Sequence, residues 1–142
     1  MDFMKIAIKE AKKAYKKKEV PVGVVIVKDN KIIAKAYNKK ESTNNPLGHA
    51  EILAIRKACK KVNNWRLDNC TMYVTLEPCL MCTGAIKEAR LDKVIYGAID
   101  EKNGYITMLD KSIYKNIEYE YIENNECKSL LKEFFKELRK SK

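Results

Sequence analysis

The most constraining stretch lies near the start of the chain. Val20-Pro21-Val22-Gly23-Val24-Val25-Ile26-Val27 is β-branched at nearly every position and is interrupted only by Pro21 and Gly23. A strand that is apolar at successive rather than alternate positions belongs in a sheet covered on both faces. Asp29-Asn30 is a short turn signal leading into a second run, Ile32 to Tyr37, so the two runs are predicted to form a hairpin.

Helical spacing brackets this hairpin. From Asp2 to Lys18, Met4, Ile8, Ala11 and Tyr15 recur on one stripe with lysines elsewhere, the pattern of a surface helix. Asn38 to Leu47 reads as loop, and Pro46 sets the entry to a helix from Ala50 to Lys61. Ile52, Leu53, Ala54, Ile55, Ala58 and Cys59 make that helix apolar on most sides, so it is expected to be largely buried. Thr71 to Thr75 is a predicted strand, followed by Leu76-Glu77-Pro78 and a helix from Cys79 to Ala89. Lys93 to Tyr96 and Ile117 to Ile122 add two strands. Glu123 to Lys140 is an amphipathic helix with Leu130, Leu131, Phe134, Phe135 and Leu138 on one stripe. An opening hairpin followed by alternating helices and strands predicts an α/β fold: a three-layer α/β/α domain on a five-stranded mixed sheet.

Size and composition bound the rest. A chain of 142 residues suits a single domain, here 1–142, with no repeat or linker to divide it. Hydrophobic residues make up 46% and charged residues 34%, without long apolar runs, which argues against a membrane-embedded or disordered chain. The start Met1-Asp2-Phe3-Met4-Lys5 does not read as a secretory signal, so the expected location is cytoplasmic. Five cysteines in such a setting direct attention to metal or thiol chemistry rather than disulfides. The formal net charge of +10 favours a polyanionic partner, although lysine is used almost everywhere in this chain.

Two fragments carry the chemistry, each at the head of a predicted helix. They are His49-Ala50-Glu51 and Pro78-Cys79-Leu80-Met81-Cys82. Cys79 and Cys82, three apart in a first helical turn, face the same side, where the helix dipole favours thiolates. A neutral imidazole plus two thiolates is a zinc set with the fourth tetrahedral position open to water, the arrangement of a catalytic rather than a structural site. Glu51 is then the candidate for moving protons beside the metal, not for binding it. A Cys-x-x-Cys pair taken alone reads equally as a redox pair or half of a structural zinc site, with Cys59, Cys70 or Cys127 available to close it. A lone His or Glu at a helix start is ordinarily a cap or a dipole partner. The conjunction, His-x-Glu followed by Pro-Cys-x-x-Cys, is the signature of zinc nucleobase deaminases.

At these residues and beyond, the chain resembles the bacterial tRNA-specific adenosine deaminases of the cytidine-deaminase-like superfamily. The similar blocks are Glu19-Val20-Pro21-Val22-Gly23, Tyr37-Asn38, His49-Ala50-Glu51-Ile52, Tyr73-Val74-Thr75-Leu76-Glu77-Pro78-Cys79, Met108-Leu109-Asp110 and Leu131-Lys132-Glu133-Phe134-Phe135. The resemblance implies a cytidine-deaminase-like fold and one Zn2+ per chain held by His49, Cys79 and Cys82, with Glu51 catalytic. It implies conversion of adenosine to inosine at the wobble position of a tRNA anticodon stem-loop, by a homodimer. It also implies substrate contacts from Asn38 on the adenine edge, Val22 beside the base, Asp100 near the flipped nucleotide's backbone, and Phe134 or Phe135 at the anticodon-loop site. Each has an ordinary alternative: Asn38 as a turn residue, Val22 as core, the phenylalanines as the stripe of a docked helix. Leu47-Gly48 and Tyr105-Ile106 depart from the family's usual Thr-Ala and Gly-Ala. Two rival functions follow from the same zinc chemistry: a deaminase of free guanine, cytosine or cytidine, and a catalytically silent zinc-stabilised RNA-binding module.

Overall fold

The computed structural model describes residues 1–104 and 116–141. Tyr105-Ile106 and Met108-Leu109-Asp110 lie outside the described residues. The elements in chain order are α1 (Phe3–Lys16), β1 (Gly23–Lys28), β2 (Lys31–Tyr37), α2 (Ala50–Val62), β3 (Cys70–Val74), α3 (Leu80–Glu88), β4 (Lys93–Tyr96), β5 (Glu118–Tyr121) and α4 (Asn125–Lys140).

The five strands form one mixed sheet in the order β2-β1-β3-β4-β5. β1 is antiparallel to both β2 and β3, whereas β3, β4 and β5 run parallel. The apolar run that opened the argument becomes intelligible here. Val24 and Ile26 pack on one face with Ala54 and Ala58 of α2 and Ile86 of α3. Val25 and Val27 pack on the other with Met4, Ala7 and Ile8 of α1 and Leu131 of α4. A central strand between two helical layers needs apolar residues in both directions.

Local chemistry fixes the element ends. Asp29 and Asn30 both adopt positive φ, 51° and 60°, as a two-residue hairpin turn requires. Asp2 accepts from the Lys5 N–H at 3.1 Å and Asn124 from the Cys127 N–H at 3.0 Å, capping α1 and α4. β1 starts at Gly23, later than its apolar run. Pro21 has no N–H for the ladder, and the Val22 N–H closes a tight turn onto the Val20 carbonyl at 2.8 Å. At Gly23 the backbone of α1 crosses so closely that a Cβ would collide with the Ala7 carbonyl oxygen.

Helix α2 departs from expectation in how it is buried. Only Ala50, Glu51, Ala54 and Ala58 are buried, while Ile52, Leu53, Ile55 and Cys59 are half-buried. A stripe of alanines lets the helix approach the sheet closely, which leaves the larger residues on its flanks. Among the described residues, no helix is long and apolar enough to cross a membrane.

Candidate metal centre and active site

Helices α2 and α3 begin next to one another on the same face of the sheet, and each starts with a candidate ligand in the capping position. His49 and Cys79 are the N-cap residues, both extended, and neither side chain caps its own helix. An N-cap side chain ordinarily bonds back to the helix N–H groups. Here Asn38, from the loop after β2, does that for α2: its Oδ1 accepts from the Ala50 N–H at 2.7 Å. The His49 ring is thereby left for other work. At α3 the Cys79 carbonyl accepts from the Thr83 N–H and hydroxyl at 2.9 and 2.8 Å, so the backbone is anchored while the thiol is left facing His49.

His49 Nδ1 lies 3.7 Å from Cys79 Sγ and 3.5 Å from Cys82 Sγ. The three ligating atoms all lie within 4.8 Å of one another, and this is the only such group among the described residues. A tetrahedral zinc at about 2.3 Å from sulfur and about 2.0 Å from nitrogen puts N and S roughly 3.5 Å apart, so the donor set fits that metal. The other cysteines stand apart. The Cys59 thiol faces the Trp65 carbonyl, the Cys70 thiol faces the Asp68 carbonyl, and Cys127 is buried in the opposite core layer with α1 and α4. None closes a fourth position, which removes the structural-zinc alternative raised by the sequence.

Proton affinities in the triad are interlocked. The Cys82 thiol donates toward Cys79, which with His49 pulls the Cys79 thiol down to about 4. The same contact with Cys79, together with burial, pushes Cys82 well above the usual thiol range. His49 is raised, chiefly by its hydrogen bond to Cys79. A metal ion needs both thiols deprotonated and the imidazole neutral, so metal affinity falls in acid. Glu51 is buried in the first turn of α2 and lies outside the ligand group. Burial, and then the Cys79 thiolate, push its carboxyl up to about 7. That value suits a group that must both accept and give a proton near neutrality.

The substrate-side candidates are placed less uniformly. Val22 is buried in the α2-side core, and its carbonyl accepts from the Asn38 N–H at 3.2 Å. Asp100 is half-buried, and its Oδ1 accepts from the N–H groups of Lys102 and Asn103, closing a turn. Phe134 is buried edge-on against Tyr15 of α1, while Phe135 is 40% exposed, so only Phe135 presents a ring to solvent.

Two buried acids escaped the sequence reading. Glu19 accepts from the N–H groups of Glu41 and Ser42, at 3.0 and 2.6 Å, and so ties down the loop that carries Asn38. Glu77 accepts from the Asp100 N–H at 3.1 Å, joining the segment before Cys79 to the 99–104 turn. Each is a lone carboxylate beside an apolar strand, but its partners are backbone N–H groups that the sequence does not mark.

Known proteins agree with this geometry. The MafB19-like deaminase family matches residues 1–139. A tRNA-specific adenosine deaminase of Aquifex aeolicus is 46% identical, across 96% of this chain and 94% of its own length. A solved tRNA:A34 deaminase, described for A-to-I editing at the wobble position of transfer RNA, superposes with a TM-score of 0.79 at 37% identity, covering 84% of this chain and 96% of that one. The guanine deaminase of Bacillus subtilis superposes with a TM-score of 0.66 at 42% identity, covering 80% of this chain and 73% of that one. The chain belongs to the MafB19-like deaminases and, within reach of these relatives, to the tRNA-specific adenosine deaminases.

Proposed function

We propose that this protein hydrolyses adenosine to inosine at the wobble position of a tRNA anticodon, releasing ammonia, with one zinc ion held by His49, Cys79 and Cys82. The observation that carries the reading is the buried Glu51 beside that triad, in a chain 46% identical to a tRNA-specific adenosine deaminase over nearly its whole length.

Bound zinc supplies a Lewis acid that brings the pKa of water from 15.7 toward about 7. Glu51, buried beside the residues that would hold the metal, would take a proton from the attacking water and deliver it to adenine N1, activating the base at C6 as oxygen adds there. Glu51 would then take the proton left on the oxygen at C6 and give it to the exocyclic amine, so that the C6 carbonyl forms as the C6–N bond breaks and ammonia leaves; water and adenosine are consumed, and inosine and ammonia are formed. Burial of Glu51 serves this sequence, because a carboxylate solvated by water would hold its proton too weakly at neutral pH. Asn38 links base recognition to the metal: its Oδ1 is fixed to the Ala50 N–H, which leaves its amide NH2 to donate to the adenine edge. Val22, Asp100 and Phe135 line the entry in this reading, and Phe134 supports Phe135 from below. A base must leave its stack to reach the metal, which is cheaper from a single-stranded loop than from a duplex.

The reading includes a homodimer in the cytoplasm and a single deaminase domain over residues 1–142. The family match over residues 1–139 and the single five-stranded sheet support the single domain, while the dimer and its location rest on the resemblance alone. A second reading, deamination of free guanine, is favoured by the 42% identity to the guanine deaminase, over a smaller share of this chain. Zinc-loaded protein incubated separately with total tRNA, an anticodon stem-loop, guanine and cytidine decides between them. The expected result is inosine at the wobble position, mapped by sequencing, and no ammonia from the free compounds. Efficient turnover of guanine with an untouched stem-loop overturns the tRNA reading.

A further inference from the structure

Beyond the metal-ligand triad, a groove of about 200 Å³ runs along the outer face of α2 and is lined by Lys39, Leu53, Arg56, Lys57 and Lys60. Every charged group in that lining is a cation. Positions 53, 56, 57 and 60 fall on one helical face, and Lys39 faces them from the loop after β2. None of the four cations takes part in an ion pair among the described residues. Arg56 is one of only four arginines in a chain that otherwise uses lysine, so a general preference for lysine does not account for it.

The groove is also tied to the site. Lys39 follows Asn38, and its N–H donates to the Gly48 carbonyl at 2.9 Å, next to His49. Leu53 lies one turn beyond His49, whose carbonyl accepts from the Leu53 N–H at 3.1 Å. From Leu53 to Lys60 the lining extends about 10 Å along the helix, at roughly 1.5 Å per residue. That length suits about two successive phosphates of one strand. Two of the ammonium groups are held in place in advance. Lys57 Nζ donates to the Lys35 carbonyl at 2.9 Å, and Lys39 Nζ sits 4.9 Å from the Tyr37 ring centroid. Held cations lose less freedom when an anion arrives.

We propose that this groove binds the phosphodiester backbone of the tRNA strand that leads into the active site, so that it acts as an electrostatic rail beside the target nucleotide. The proposal rests on the tRNA reading above. Leu53, half-buried as the groove floor, gives the ribose face an apolar surface between the charges.

The test compares two double variants of the zinc-loaded protein, each removing two positive charges. Arg56→Gln/Lys60→Gln removes two of the rail's four cations, and Lys5→Gln/Lys9→Gln removes equal charge from exposed positions on α1. Steady-state deamination of an anticodon stem-loop is followed from 0.05 to 0.3 M KCl, with sedimentation of each protein. The rail variant is expected to raise KM about tenfold or more at 0.15 M salt and to flatten the log–log salt slope by about 1.4, two single-strand phosphate contacts. The loss appears in KM rather than kcat, and the α1 variant changes neither. Equal effects of the two variants, or no effect of the rail variant, overturn the proposal. So does a rail variant that changes oligomeric state, since the groove then belongs to a contact between copies. Wild-type protein that leaves the stem-loop unmodified overturns the substrate reading itself, an outcome separate from all of these.

Discussion

Glu51 and Glu19 are both buried, at 4% and 1% exposure, yet burial has opposite outcomes at the two places. At the head of α2, burial, aided by the Cys79 thiolate, raises Glu51 to about 7 and outweighs the opposing pull of its own backbone N–H, His49 and Cys82. At the root of the 38–48 loop, burial works in the same upward direction on Glu19, but the N–H groups of Glu41 and Ser42, the Ser42 hydroxyl and Lys40 together outweigh it and hold the carboxyl below its usual range. Desolvation therefore does not decide the role of a buried acid; the number of donors aimed at it does. With few donors Glu51 is suited to the proton-carrying role proposed for it, and with several Glu19 is held as an anion at the root of the loop.

The largest effect expected is at Glu51. Glu51→Gln keeps the volume and removes the exchangeable proton, so stem-loop deamination should fall by about 10²- to 10⁴-fold while zinc content, read by atomic absorption, stays at one per chain. The metal-free proteins carry a second readout. A carboxyl whose folded pKa lies above its usual 4.5 binds more protons folded than unfolded between those values. Its contribution to stability is full below about 4.5 and is lost as pH rises through about 7. Thermal melts of metal-free Glu51→Gln should therefore lose less stability than wild type between pH 5 and 7.5. Parallel curves for the two proteins would break the contrast with Glu19.

Glu19→Gln comes next. It leaves one carbonyl acceptor and turns an amide NH2 toward backbone donors, costing about 1–3 kcal/mol by urea titration. Because Asn38 and Lys39 lie at the root of the same loop, KM for the stem-loop should rise several-fold with kcat little changed. The sign in pH is opposite to that of Glu51. A depressed folded pKa gives stability that is full above the usual 4.5 and is lost as pH falls through the lower folded value. Wild type should converge on Glu19→Gln in stability as pH falls from 4.5 through that lower value; a constant gap at every pH would mean that packing, not charge, holds the loop.

The same contrast explains what was legible in the sequence. Candidate metal ligands are recognisable because zinc demands particular side chains, and the starts of α2 and α3 bring His49, Cys79 and Cys82 together as their spacing suggested. Glu51 was legible for the same reason, two residues from a ligand. The strands were legible from their apolar runs, with the start of β1 displaced to Gly23 by Pro21 and its tight turn. Glu19 and Glu77 were missed because their partners are backbone N–H groups, which any residue provides, so nothing at Glu41, Ser42 or Asp100 announces the bond. Asn38 was read as a base contact or an ordinary turn residue, and its bond to the Ala50 N–H depends on a loop closure that composition does not encode. The flanks of α2 were misjudged because apolar residue counts do not reveal which stripe, here the alanines, makes the closest approach.

The smallest expected effect lies where the clamped loop closes. Gly48 donates to the Asn45 carbonyl at 2.9 Å and accepts from the Lys39 N–H at 2.9 Å. A Cβ there would stand 3.0 Å from the Asn45 carbonyl oxygen and from the Lys40 backbone, so alanine fits only if the loop gives by a few tenths of an ångström. Gly48→Ala should cost about 1 kcal/mol, lowering Tm by roughly 3–4 °C, and raise KM about two- to threefold without loss of zinc. In the Glu19→Gln background, where the other side of the loop is released, the same substitution should cost measurably less, since the loop can then move aside. Additive costs in the double variant would show that Glu19 and Gly48 act on the loop independently, and the clamp would then be local to Glu41 and Ser42 rather than a constraint transmitted to His49.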